Sequence, residues 1–281
     1  DEEHLDYYQN IDNLFKSFKK FITNIPFYGC SIICLENKYS KKLATQISNR
    51  KVLTYGFNKS FADLNITNFY FKNNKSYFTI KLSEKIKKTK TKNYKFSLNL
   101  LGQHNILNAT AAIAVSLLIN IKVSSIRKTL MYFEGVQRRF NLIGEINNTK
   151  VFDDYAHHPQ EIRASMGIAR LLCKGKIIVV FQPHRYSRTK ELFNDFVKIL
   201  KEVDILVLED VYAAGEKKIK NLNTKLFNAI KKNSKKTIIK RNKNKKFNEI
   251  IRPYFSKNNI IVFMGAGSIT NLAKEFVKEI K

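Results

Sequence analysis

The sequence predicts an α/β fold whose second half is a doubly wound parallel sheet. Two observations carry this. From residue 141 onward, short β-branched runs alternate with helical segments, the pattern of a parallel sheet covered on both faces. Within that half, two polar segments each follow an apolar run and lead into a helix: Asp153-Asp154-Tyr155-Ala156-His157-His158-Pro159 and Phe181-Gln182-Pro183-His184-Arg185-Tyr186-Ser187-Arg188-Thr189. Open α/β sheets place their ligand-binding groups at such strand-to-helix mouths. The two segments hold three of the five histidines and two of the ten arginines, more acid, imidazole and guanidinium than helix capping requires. A length of 281 residues accommodates two domains, each with its own core.

In chain order, Ile11, Leu14, Phe15, Phe18 and Ile22 recur at helical spacing, and Pro26 stops that helix. Gly29–Leu35 reads as a buried strand and Val52–Gly56 as a second. Phe69–Leu82 alternates around Asn73-Asn74 and predicts a hairpin, followed by an exposed lysine-rich connection, Lys85–Lys95, and a strand over 96–100. Gly102-Gln103-His104-Asn105 opens an alanine-rich helix, 106–119, and a further helix spans 125–133. Gly135–Phe140 marks the domain boundary. Beyond it, strands are expected at 141–153, 177–181, 204–208, 237–240 and 260–264, with helices near 159–173, 188–202, 223–232, 246–255 and 268–280. Gly265-Ala266-Gly267-Ser268 reads as a tight strand-to-helix turn or as a phosphate-approaching one.

Bulk composition narrows the classes. The formal charge of +28 suggests nucleic acid, but 41 of the 51 basic residues are lysines scattered over helices, hairpins and turns, so a general drift of surface positions to lysine explains it and no nucleic-acid partner is expected. No apolar run reaches the roughly 18–20 residues that cross a bilayer, and the acidic N-terminus does not resemble a signal peptide. The sequence does not begin with Met, as expected of a processed chain or a piece of a longer one. Cys30, Cys34 and Cys173 lack metal-ligand spacing and read as buried free thiols in a reducing cytoplasm.

The two polar segments, together with Glu3-His4-Leu5-Asp6, Asn24–Gly29, Gly102–Asn105 followed by Asn108–Ala112, Gly135–Phe140 and Asp210–Glu216, closely resemble the muramyl ligase family, in particular its alanine-adding branch. The resemblance implies three domains, of which residues 1–137 are the latter part of a central P-loop-type ATPase domain and 138–281 a C-terminal Rossmann-like ligase domain. It implies a cytoplasmic, ATP- and Mg2+-dependent ligase of peptidoglycan precursor synthesis that joins L-alanine to UDP-N-acetylmuramate through an acyl phosphate, with no membrane partner. The departure is large: no Gly-x-x-x-x-Gly-Lys-Ser/Thr occurs in these 281 residues. The loop that cradles ATP phosphates and the UDP-binding domain are therefore expected on a missing N-terminal segment, and the chain alone is expected to be inactive. The alternative is a non-catalytic remnant or binding module that keeps the fold.

Residue by residue, the resemblance places His4 at a magnesium ion, Asn105 and Asn108 at the adenine edge, Arg139 at ATP phosphate and Asp154 at the ribose hydroxyls. Asn105 and Asn108 are three apart and share a helix face; capping is the plainer reading of Asn105, and a surface histidine that of His4. His157, His158, His184, Arg185 and Arg188 would face the reacting carboxylate, the amino acid and the transferring phosphate. Which of His157 and His158 does so is open. Arg185 and Arg188, three apart at a helix start, can point to one anion, and their planar forks suit carboxylate and phosphate.

Overall fold

A computed structural model describes residues 5–84, 86, 92–242 and 244–279. His4 and most of the lysine-rich connection, residues 85 and 87–91, lie outside them. The chain divides into two units, Asp1–Gly135 and Val136–Lys281.

The first unit runs α1 (Leu5–Tyr8), α2 (Ile11–Thr23), β1 (Cys30–Cys34), α3 (Lys38–Gln46), β2 (Lys51–Phe57), β3 (Leu64–Lys72), β4 (Lys75–Leu82), β5 (Asn93–Leu98), α4 (Gln103–Leu118) and α5 (Val123–Tyr132). Its sheet has the order β1-β2-β3-β4-β5, with β1, β2 and β3 parallel and β3, β4 and β5 antiparallel. Asn73 and Asn74 turn the β3–β4 hairpin with φ of 50° and 58°, the left-handed pair that matches strand twist. Leu64, Ile66 and Ile80 pack on Ile106 and Ile113 of α4. On the opposite side, Ile33 of β1 packs with Ile22, Leu43 and Ile47. The sequence gives little sign of α3, which buries Leu43 and is capped by the Asn37 side chain accepting from Tyr39 N at 2.7 Å.

The second unit runs β6 (Asn141–Ile146), β7 (Thr149–Asp154), α6 (Pro159–Leu172), β8 (Ile177–Phe181), α7 (Tyr186–Glu191), α8 (Phe193–Leu200), β9 (Ile205–Leu208), α9 (Leu222–Asn233), β10 (Thr237–Lys240), α10 (Phe247–Ile251), β11 (Ile260–Met264) and α11 (Ile269–Glu279). The order is β10-β9-β8-β11-β7-β6, parallel throughout except for β6. Both faces are covered. Ile177, Val179 and Phe181 pack with Ile162, Phe196 and Leu226 of α6, α8 and α9, while Ile178 and Val180 pack with Phe247 and Phe276 of α10 and α11. This is the expected doubly wound α/β sheet.

Three details differ from expectation. The single strand over 141–153 is a hairpin, turned by Asn147 and Asn148 with φ of 48° and 61°. The helix over 188–202 is two, divided at Leu192. The three cysteines are free, as expected, but half-buried rather than buried. No helix among the described residues is long and apolar enough to cross a membrane.

Candidate active site

The C-terminal ends of β7, β8, β9 and β11 lie along one edge of the second unit, and main-chain hydrogen bonds join their loops. Gly265 N donates to Asp154 O (3.0 Å), Gln182 N to Met264 O (3.0 Å), Tyr212 N to Pro183 O (2.8 Å) and Arg185 N to Tyr212 O (2.8 Å). His184 and Tyr212 form an isolated parallel bridge. The loops are thus extensions of the sheet, which fixes the side chains they carry.

In the first loop His158 and Glu161 form a capping box at the start of α6, with Pro159 in its first turn. His158 is 6% exposed and its Nδ1 accepts from Gln160 N at 3.4 Å. His157 lies beside His184 instead, with ring centroids 5.6 Å apart. His157 thus lies at the cluster, whereas His158 caps the helix. Nδ1 of His157 sits 2.9 Å from Tyr155 O and 3.3 Å from Glu161 Oε2. Both are acceptors, so Nδ1 carries the proton and the neutral ring keeps its lone pair on Nε2, a tautomer assigned from these partners.

Glu161 was not singled out in the sequence, although His158-x-x-Glu161 ahead of an apolar helix is a capping-box signal. Its carboxylate accepts from His157 N (3.0 Å) and His158 N (3.2 Å) and pairs with Arg139 Nη1 at 3.3 Å. Burial pushes the Glu161 carboxyl up, but the two N–H groups, the His157 ring and Arg139 outweigh it and hold the pKa below the ordinary value.

The second loop carries Arg185 just before α7 and Arg188 within it. Arg185 precedes α7 with φ of 70°, an uncommon backbone for a non-glycine residue. Its Nε donates to Glu216 Oε1 at 2.7 Å, and Ser187 N and Oγ donate to the same carboxylate at 2.9 and 2.6 Å. Burial raises the Glu216 pKa, but the Ser187 hydroxyl, Ser187 N–H and Arg185 bring it down to about 2. Arg188 Nη1 lies 3.4 Å from His184 Nδ1. Arg185 thus meets Glu216, and Arg188 lies beside His184. Because Arg188 has only protons to give, His184 Nδ1 is the acceptor and Nε2 carries the hydrogen in the neutral ring. Desolvation, then the charges of His157, Arg188 and Arg185, lowers the His184 pKa to about 4, so His184 is neutral near pH 7. Its ring stacks on Tyr212 at 5.5 Å and 13°.

The chain entering the unit completes this edge. Arg138 Nη2 donates to Gly265 O at 2.9 Å, and the Arg138 guanidinium lies 4.6 Å from the Tyr155 ring centroid. Arg139 lies 5.6 Å from the same ring and is about half exposed. Gln182 accepts from Ile269 N (3.1 Å) and donates to Ser268 Oγ (3.1 Å), so residues 265–268 form a tight turn that starts α11.

Asp154 departs from its expected presentation. It is 3% exposed, with Oδ1 accepting from Ala156 N at 3.1 Å and Oδ2 from the Ser165 hydroxyl. Burial raises its pKa to about 6 against these two donors. The carboxylate braces the loop that carries it. In the first unit Asn105, in the first turn of α4, donates Nδ2 to Leu101 O at 2.7 Å, while Asn108 one turn on is exposed.

Asn108 in the first unit and Arg139 in the second each present their polar groups to solvent. Among the described residues no group of three or more His, Cys, Asp or Glu side chains could hold a metal ion, and His4 is outside them.

Two family models match the chain. Residues 1–116 match the Mur ligase middle domain, and residues 138–267 match the Mur ligase, glutamate ligase domain. The chain belongs to the Mur ligase family. Among curated Mur ligases it is 39% identical over 283 residues to the UDP-N-acetylmuramate--L-alanine ligase of Rickettsia bellii (strain OSU 85-389), covering 98% of this chain and 59% of that protein. It is 40% identical over 283 residues to the enzyme of that name from Agrobacterium fabrum (strain C58 / ATCC 33970), covering 100% and 60%. The chain thus spans about three fifths of the length of these relatives. Among solved structures, UDP-N-acetylmuramate-alanine ligase from Thermotoga maritima superposes with a TM-score of 0.75 at 24% identity, over 99% of this chain and 57% of that one. A MurF ligase from Thermotoga maritima in complex with ADP gives 0.73 at 15% identity, over 99% and 60%. The Mur ligase fold is common to all of them.

Proposed function

We propose that this chain supplies the C-terminal part of an ATP-dependent ligase that joins L-alanine to UDP-N-acetylmuramate in the cytoplasm. Residues 1–137 would be the latter part of the ATPase domain and 138–281 the ligase domain, completed by an N-terminal segment like that of the relatives. The observation that supports this most is the opposed pair His157 and His184. In the assigned tautomers one ring offers a lone pair and the other a proton, side by side, with Arg188 adjacent.

Amide formation needs such a pair. A carboxylate is a poor electrophile, and ATP supplies the leaving group by converting it to an acyl phosphate. The ammonium of L-alanine must then lose a proton before its nitrogen attacks the carbonyl carbon and phosphate departs. His157 Nε2 can take that proton, and His184 Nε2–H with Arg188 can meet the negative charge that grows on the carbonyl and phosphate oxygens. Arg185 stays at the same edge, and His158 holds the loop as the α6 cap. Arg139 and Asn108 would serve the nucleotide, with Asn105 fixing the start of α4. Asp154 would act on the ribose only through the loop it braces. Mg2+ is implied by the family, with His4 as the ligand that the resemblance places at it.

The test is phosphate release in a complete ligase carrying these 281 residues. His157→Asn is expected to reduce L-alanine-dependent turnover by roughly a hundredfold or more, while the 281-residue chain alone, which has no Gly-x-x-x-x-Gly-Lys-Ser/Thr, releases none. The second reading, a non-catalytic module that keeps the fold, would be eliminated by turnover of the complete protein.

A further inference from the structure

The geometry points to Glu161 as a positioning residue: its single carboxylate holds both the His157–His158 turn and the guanidinium of Arg139, so the two are set by one group. It deepens the ligase reading and takes its meaning from it. Four contacts carry it: the N–H groups of His157 and His158, the His157 ring at Nδ1, and Arg139 Nη1.

An N3 glutamate that only capped α6 would need nothing beyond the main-chain N–H groups of the first turn. Here the carboxylate reaches past the helix on two sides. Towards the cluster it meets the proton of His157 Nδ1, shared with Tyr155 O, and so helps hold the ring where it lies beside His184. Towards the entering chain it holds Arg139, whose guanidinium also lies near the Tyr155 ring. The contest between His157 and Arg139 for one negative charge has a direct result. When Arg139 leaves for another anion, such as a phosphate, the carboxylate acts more fully on His157 and makes that ring more basic. Withdrawal of Arg139 and readiness of His157 to accept a proton are thereby linked. The charged or titratable groups around the ring are Glu161, Arg139 and Tyr155 on one side and His184, with Arg188 behind it, on the other.

Histidine-detected NMR titration of the 281-residue chain, without nucleotide, tests this. Glu161→Gln keeps an oxygen for the helix N–H groups but removes the charge, and the His157 midpoint is expected to fall by about half to one pH unit. Arg139→Gln is expected to move it upward, and in the double variant the Arg139→Gln effect is expected to vanish. Trypsin gives a second reading: cleavage after Arg139 should be several-fold faster in Glu161→Gln than in the parent. Glu161→Asp, a shorter carboxylate, should recover part of the His157 shift. A His157 midpoint unmoved by both single variants, with unchanged cleavage, would overturn the proposal and leave Glu161 as a helix cap. Neither readout needs turnover, so a failed ligase assay and a failed coupling are told apart.

Discussion

Gly267 is packed so closely behind Tyr212 that an added Cβ would stand 2.5 Å from the ring's Cγ, and 2.6 Å from Gln182 Oε1. Tyr212 in turn carries the His184 ring. Gly267→Ala must therefore push the tyrosine, the glutamine or both. The expected cost is about 1–3 kcal/mol of stability, together with a changed ring-current shift on His184, read by thermal denaturation and histidine NMR.

Gly167 provides the opposite case. It lies in α6, exposed, and nothing stands within 4 Å of an added Cβ. Gly167→Ala is expected to stabilise the unit by roughly 0.5–1 kcal/mol, since alanine loses less backbone freedom in a helix. Denaturant titration of the two alanine variants should give shifts of opposite sign.

Asp154 predicts a pH effect. Its folded-state pKa of about 6 exceeds the unfolded value of about 3.9, so between these pH values the folded chain keeps a proton that the unfolded chain has lost. The stability this provides is full at low pH and is lost as pH rises through 6. Asp154→Asn removes the titration. Between pH 4 and 7.5 the parent should lose up to about 3 kcal/mol relative to the variant. Parallel stability curves would refute it.

Arg185 and Glu216 form a pair 2.7 Å apart, with side chains about a quarter and a fifth exposed. In a complete ligase Arg185→Lys keeps the charge but not the fork. If the arginine also acts on charge that develops during reaction, kcat should fall by on the order of a hundredfold with KM little changed. If its role ends at Glu216, kcat should stay within about threefold of the parent.

Proteolysis should also discriminate. Arg138 is held through its carbonyl by Tyr155 N (2.7 Å) and through its guanidinium by Gly265 O, so trypsin is expected to act slowly there despite the basic pair. Tyr132 is 67% exposed and Phe133 41%. Chymotrypsin, cutting after either, should release the second unit first, as seen by mass spectrometry of a time course.

The strand-to-helix mouths and the β-α alternation could be read from sequence because each rests on local pattern. Asn73-Asn74 announced a hairpin between alternating runs, whereas Asn147-Asn148 was absorbed into a run long enough to pass for one strand. The break at Leu192 has no proline or glycine to mark it. Side-chain wiring was least legible. Glu216, 31 residues from Arg185, and Tyr212, 28 from His184, meet them only once β8 and β9 pair. No residue spacing encodes that.

The antiparallel course of β6 sets Asn141 opposite Asp153. A parallel first strand would have left its beginning at the far end of the sheet, roughly 17–20 Å away. The hairpin instead brings Arg138 and Tyr155 together through a closure of fewer than twenty residues. Such local closures form in microseconds, long before crossovers of parallel strands. The entry side of this edge can thus assemble early and by itself, while the His184–Tyr212 side waits for β9 to dock. Folding would build one half of the cluster ahead of the other, and the last step to complete it would be the return of β11 between β7 and β8.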